Sequence, residues 1–411
     1  MNASACLSGI RPRLRLLALV PVVVIAYIVT VIAIDEFFFA SNRIVIKSAP
    51  VDKVGRHAQS IVGTENEDPE PTRSVQLDIE RVINKTLGFE KVIAIGLPER
   101  SDKRDALELM ASLTGFDIEW VDGVKPSSIP SKAVPYGIDP SAIQDNFLGS
   151  WRGHMNAIRQ VVEQETGSAL IMEDDMDWDI HLKSQLRNVA RGARQILQEP
   201  SELPHSPYGD DWDVLWLGHC GEPFPETLEE NAGLPSERIE QMSAKYFIQD
   251  DDTVPPYNQV SQLVDWSQYQ PQTRIVHMSA APICTFAYAV SQRGARKILY
   301  GLSVDGLHMA FDNSLAQLCR DAMYGLGRNQ SSALNMKCIS VNPTIMFHHK
   351  AKGLVASGSD IQNVGGDGSV REKGETESIR WSMRLNLENI LAGKSSHRLD
   401  TIHCPSDIRL V

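Results

Sequence analysis

The chain has 411 residues, 42% hydrophobic and 22% charged, with 40 Lys and Arg against 52 Asp and Glu. This is a globular composition, long enough for one large or two ordinary domains. A net charge of −12 excludes nucleic acid as the main partner, because neutralising phosphates needs basic surface.

The first element is apolar. Leu16 to Ile34 carries no charge and as a helix would span roughly 28 Å, close to the hydrocarbon thickness of a bilayer. Arg11, Arg13 and Arg15 precede it and Asp35 and Glu36 follow, so the positive-inside rule predicts a single-pass type II anchor with the rest of the chain luminal. A cleaved signal peptide is the rival, but the run is long for one and no small-x-small site follows it. The expected division is a cytosolic tail over 1–15, an anchor over 16–34 and a flexible stem over 35–86. The stem includes the acidic, proline-bearing Val62 to Pro71. Cys6 falls on the cytosolic side, and Cys220, Cys284, Cys319, Cys338 and Cys404 in an oxidising ER or Golgi lumen. There is no CxxC pair to suggest zinc. The sequons Asn84-Lys-Thr86 and Asn329-Gln-Ser331 would be usable there.

Folded sequence is expected from near Phe89. Lys91 to Ile95 reads as a strand, Gly96 to Asp102 as a loop, Lys103 to Gly115 as a helix and Ile118 to Val121 as a second strand. A nucleotide commonly sits on the loop after the first strand of such a βαβ unit. Arg100 and Arg104 are placed to reach a diphosphate, or are ordinary surface arginines. After a proline-punctuated loop, Ser150 is expected to cap a helix with Trp151, Met155, Ile158 and Val162 on one face. His154 would lie in its first turn, as a packed residue or as a catalyst.

Ala169 to Met172 then runs into five carboxylates: Glu173, Asp174, Asp175, Asp177 and Asp179. The apolar run predicts a buried strand of a parallel sheet, whose carboxyl end is where α/β sheets place ligands. Strand alternation would put Glu173 and Asp175 on one face and Asp174 on the other. Crowded carboxylates suit a hard divalent ion, Mn²⁺ or Mg²⁺, holding a diphosphate. An EF-hand is excluded, because Ile180 and Leu186 occupy its Gly and Glu positions. A haloacid-dehalogenase-type phosphatase would need a closing Thr or Val that is absent. The plain reading of Asp177 and Asp179 is a solvated acidic turn capping the next helix.

Further on, Ile180 to Leu197 reads as a helix and Asp213 to Gly218 as a buried strand. Glu222 to Gln272 reads as a mobile lid or surface excursion. Thr285 to Val290 is a strand, Ala295 to Tyr300 a helix, and Met309 to Leu318 a helix with Asp312 near its start. Cys338 to Val341 and Phe347 to His349 are strand-like, and a short helix is expected over Glu377 to Leu391. Five luminal cysteines allow many pairings. Cys220 ends one strand and Cys284 begins another, so these are paired as a hypothesis, with Cys319 to Cys338 and a free Cys404.

The order of motifs resembles glycosyltransferase family 25, the lipooligosaccharide glycosyltransferases and collagen galactosyltransferases, in a fungal type II membrane form. The resemblance rests on Leu97-Pro-Glu-Arg100 with Asp102-Lys-Arg104, Val121-Asp-Gly123, Gly149-Ser-Trp-Arg-Gly-His154 and Leu170-Ile-Met-Glu-Asp-Asp175. Asp213-Val-Leu-Trp-Leu-Gly218, Tyr288-Ala-Val-Ser-Gln-Arg-Gly-Ala-Arg296 and a late Ser359-Asp-Ile361 complete it. Gly149-Ser150 stands where the family usually shows Gly-Cys. The resemblance implies an α/β, GT-A-like Rossmann-type domain over 87–361, followed by a C-terminal tail over 362–411. It implies transfer of a sugar, galactose being the family's commonest, from a nucleotide-sugar donor to a glycan or glycoprotein acceptor, with a divalent metal. Asp175 would hold the metal, with Glu173 or Asp174 toward the nucleotide and His348 or His349 completing the metal shell. Inverting transfer calls for a base, for which Asp312 is the candidate and helix capping its plain alternative. A degenerate luminal binding protein is the non-enzyme reading, against which the intact acidic triplet argues.

Overall fold

In the computed structural model, which describes residues 62–64, 73–137, 145–199, 203–325, 334–361 and 368–394, the apolar runs become strands covered on both faces. In β2 (Lys91–Gly96) and β4 (Ser168–Glu173), Val92, Ala94, Leu170 and Met172 enter one core cluster. Ile93, Ile95, Ala169 and Ile171, pointing the other way, enter a second. Two covered faces are why these strands read as continuous apolar runs rather than alternating ones.

The remaining strands are β1 (Val62–Thr64), β3 (Glu119–Asp122), β5 (Met176–Trp178), β6 (Val214–Gly218), β7 (Lys245–Ile248), β8 (Arg274–Met278), β9 (Ala287–Ser291), β10 (Cys338–Asn342) and β11 (Met346–Lys350), with the two-residue β12 (Gly353–Leu354), β13 (Val370–Arg371) and β14 (Glu375–Thr376). The main sheet runs β1-β7-β8-β10-β6-β9-β4-β2-β3, with β11 joining β5, β6 and β14 beside it. Helices α1 (Arg73–Ile79), α2 (Ser101–Thr114) and α4 (Leu182–Ile196) pack on one face, and α3 (Asp145–Glu163), α6 (Gln292–Leu299) and α7 (Phe311–Gly325) on the other; α5 (Ser236–Met242) and α8 (Leu387–Leu391) are short additions. The fold is mixed α/β around a mixed central sheet. The expected parallel sheet needs correcting at its centre, where β9 runs antiparallel to both β4 and β6.

Four other expectations change. Residues 73–83 are not flexible stem: Ile79 and Val82 are buried in the core, and Val62–Thr64 pairs in parallel with β7. Glu222 to Gln272 is not a mobile lid. It contributes β7, which pairs with β8, and buries Phe224, Val260, Val264 and Trp266 as a small core of its own. Ser150 lies inside α3 rather than at its cap, which places His154 in mid-helix. Position 149, inside that helix, is glycine because a Cβ there would lie 2.6 Å from the Val124 carbonyl oxygen.

Fourth, residues 375–392 of the expected C-terminal tail pack onto the folded domain. Asp177 and Asp179, 0% and 1% exposed, hold them from within. Asp177 accepts from Thr376 Oγ1 (2.7 Å), the Arg384 amide (3.0 Å), the Trp178 amide (2.8 Å) and Ser382 Oγ. Asp179 accepts from the Trp381 and His181 amides (3.0 and 2.9 Å). Ile379 and Met383 enter the core. The solvated-turn reading of these two carboxylates is thus overturned, since buried polar groups persist where they are paired. The helix expected over Glu377 to Leu391 reduces to Leu387–Leu391.

Cys220 pairs with Cys284 and Cys319 with Cys338, as hypothesised. Peptide mapping under non-reducing conditions should recover both links; free thiols at Cys220 and Cys284 would contradict the arrangement. No helix among the described residues is long and apolar enough to cross a membrane. Leu16 to Ile34, Asn329 and Cys404 lie outside the described residues.

Candidate active site

The carboxyl ends of β2 and β4 open into a cavity of about 610 Å³, lined by Glu173, Asp174, Asp175, Lys103, Asp312 and His348 among others. β4 stops at Glu173. The chain turns through Asp174 and Asp175 and re-enters the sheet as β5, antiparallel to β11. The turn cancels the expected alternation. Asp174 and Asp175 share the Lys103 ammonium at 2.9 and 3.3 Å, while Glu173 lies apart, 3.6 Å from His154 Nε2. Gly96 makes room for this, since a Cβ there would meet Asp174 Oδ2 at 2.6 Å.

Lys103 also reaches Asp360 at 3.0 Å, so one ammonium ties three carboxylates from distant parts of the chain. Burial opposes its charge, but Asp175 and Asp174 outweigh that and raise its pKa. Burial also raises the Asp174 carboxyl, to about 7, against the pull of Lys103. Glu173 is raised well above the usual carboxylate range by burial and by Asp175. Burial of these groups thus pushes the Glu173 and Asp174 carboxyls toward their neutral forms, while Lys103 stays charged beside them. Asp175 Oδ1 is buried without a hydrogen-bond partner, a costly state that a donor or cation would relieve.

The arginines singled out from sequence are engaged elsewhere. Arg100 binds Asp102 (2.8 Å), Asp360 and the Ser357 carbonyl (3.2 Å). Arg104 binds Asp122 (2.5 Å) and the Gly96 carbonyl (2.7 Å), with its guanidinium 4.5 Å from the Trp120 ring centroid. Neither lines the cavity; Lys103, between them, does. The signal for it was present, because Lys103 stands four and seven residues before the buried Leu107 and Met110, on one face of the helix.

His348, on β11 opposite Met176, stacks on Phe286 with centroids 4.5 Å apart. Burial lowers its pKa, with Asp175 acting in the other direction, so it is favoured in the neutral form that ligates metals. His349 bonds Thr376 Oγ1 at 2.9 Å, and its amide donates to the Asp175 carbonyl at 2.7 Å. Asp312, at the start of α7, accepts from the Cys284 amide through Oδ2 at 3.3 Å. His154 stacks on Phe311 at 4.4 Å, with Nδ1 3.0 Å from the Tyr288 hydroxyl. Burial lowers it to about 4. It sits behind Glu173 as a neutral ring.

No group of three or more His, Cys, Asp and Glu side chains forms a ready-made metal site among the described residues. The donor chemistry nonetheless fits a hard divalent ion, because Asp175 offers an unpartnered oxygen and a diphosphate brings further oxygen ligands of its own.

No family model matches the chain. Over 175 residues, 39% of this chain, it is 25% identical to procollagen galactosyltransferase 1 of Danio rerio, and the match spans 26% of that protein's length. The relation is distant. It is nonetheless a relation to a member of glycosyltransferase family 25, the family that the motif order resembles.

Proposed function

We propose that the chain is a glycosyltransferase with a GT-A-like domain, moving a sugar from a nucleotide-sugar donor to a glycan or glycoprotein acceptor. The observation that carries this reading is the buried, unpartnered Asp175 Oδ1 in a carboxylate-lined cavity at the strand ends, in a chain distantly similar to a procollagen galactosyltransferase. Galactose is the sugar proposed first.

Asp175 would hold the divalent ion, with Asp174 and the neutral His348 beside it, and the ion would supply charge neutralisation for the departing diphosphate. Lys103 adds a positive charge at the same place. Glu173 faces the donor from the opposite side of the turn, with the neutral ring of His154, a positioning residue in this reading, packed behind it. Asp312 has one oxygen fixed by the Cys284 amide, which leaves the other to take the proton of the acceptor hydroxyl. Arg100 and Arg104 brace the loop after β2 instead of touching the diphosphate.

The test is turnover of a panel of nucleotide sugars with Mn²⁺ and with chelator, including hydrolysis without acceptor. Metal-dependent turnover of one donor is expected; no turnover of any donor would favour a binding protein of the same fold.

The two disulfides fit an oxidising compartment, and we place the chain in the ER or Golgi, membrane-anchored, with this domain luminal. Asn84 is exposed, and its Oδ1 accepts from the Thr86 and Gly88 amides at 2.8 and 2.9 Å. In microsomes the domain should resist added protease, and Asn84→Gln should remove one endoglycosidase-sensitive mass increment. Digestion of the domain in intact microsomes would reverse the orientation.

A further inference from the structure

The amide that fixes Asp312 belongs to a half-cystine. Cys284 donates that bond from a backbone with φ +70°, a left-handed conformation disfavoured for any residue bearing a Cβ. Four contacts hold it there. The disulfide joins Cys284 to Cys220. Trp216 Nε1 donates to the Cys284 carbonyl at 3.2 Å. The Cys220 amide donates to Ile283 O at 2.7 Å, and the Ile283 amide to Gly221 O at 3.0 Å. Both cysteines line the cavity. The same segment continues into Phe286, whose carbonyl accepts from the Glu173 amide at 3.0 Å and whose ring stacks on His348.

We infer that the Cys220–Cys284 disulfide is a positioning element for Asp312: the crosslink holds the Cys284 amide in the conformation that aims the carboxylate at the acceptor hydroxyl. Acting through Asp312, it bears on turnover first, and an effect on donor KM would report the Phe286 contacts to Glu173 and His348 instead. This rests on the glycosyltransferase reading with Asp312 as base. The second disulfide supplies the control. Cys319 lies on α7, about two helical turns from Asp312. Both Cys319 and Cys338 are buried in the core rather than lining the cavity.

The experiment uses the full chain with the nucleotide sugar turned over in the panel assay, at a temperature where circular dichroism shows every variant folded. Cys220→Ala/Cys284→Ala should lower kcat about tenfold or more, with donor KM changed by less than about twofold, the signature of an interaction realised in the transition state. Cys319→Ala/Cys338→Ala should lower the thermal midpoint and keep kcat within about twofold of the parent, as expected of a crosslink that acts on the unfolded chain. Cys220→Ala/Cys284→Gly should recover part of the lost kcat, because glycine adopts φ +70° without strain. In an Asp312→Asn background the loss of the disulfide should cost less than about twofold more, as residues acting through one contact are non-additive.

Unchanged kcat in Cys220→Ala/Cys284→Ala would overturn the inference, and so would an equal further loss in the Asp312→Asn background. Either result leaves the base in place, provided Asp312→Asn itself is impaired. Full activity of Asp312→Asn is the separate outcome that removes the base reading and this inference together.

Discussion

Asp175→Asn should lower metal-dependent transfer by roughly 10²-fold or more, the size expected when an electrostatic stabiliser of the transition state is removed. The substitution keeps the shape and removes one negative charge next to Lys103. The ammonium retains Asp174 at 2.9 Å and Asp360 at 3.0 Å, so the fold should survive. The Asp175 carbonyl, which accepts from the His349 amide, is unaffected. Initial rates against Mn²⁺ concentration and a thermal midpoint, measured on the same preparation, decide the matter. A variant as active as the parent would place the metal elsewhere, and a variant that melts early would make Asp175 structural.

Asp177→Ala, two residues on, should act on the fold itself and destabilise the domain by about 3 kcal/mol or more, because buried donors left unpaired each cost about 1–3 kcal/mol. Its carboxylate takes bonds from Thr376, Ser382 and the Trp178 and Arg384 amides. Their loss should release residues 375–386 from the core. Glu375, at the start of that stretch, and Arg371 just before it line the cavity, so activity should fall along with stability. Denaturant unfolding combined with limited proteolysis reads both effects. Stability within about 1 kcal/mol of the parent would mean that the segment is held by its apolar contacts through Ile379 and Met383 instead.

These two aspartates show where local pattern stops being informative. Along the chain they belong to one acidic run, and charge density alone cannot separate a ligand-facing carboxylate from a structural one. The separation is made by the turn after Glu173, which sends Asp174 and Asp175 into the cavity and Asp177 into the sheet interior opposite β11. Partners at positions 376, 382 and 384 are remote in sequence, and no periodicity connects them.

Patterns with a local physical cause were legible in the residues themselves. The apolar runs of β2, β4 and β6 announce strands buried on both faces, and the carboxylates at the end of β4 announce a charged cavity edge. The Cys220–Cys284 pairing was a hypothesis from where the half-cystines stand relative to strands, and Cys319–Cys338 followed as the pair closing a short loop. Only the tertiary structure decided the rest: β9 running antiparallel in the sheet centre, Asp174, Asp175 and Asp360 meeting on the one Lys103 ammonium, and residues 222–272 and 375–392 as parts of the folded body. Each depends on groups far apart in sequence meeting across the sheet, where desolvation makes a pairing compulsory; a pattern read along the chain carries periodicity and composition, but not the identity of the distant group that satisfies a buried charge.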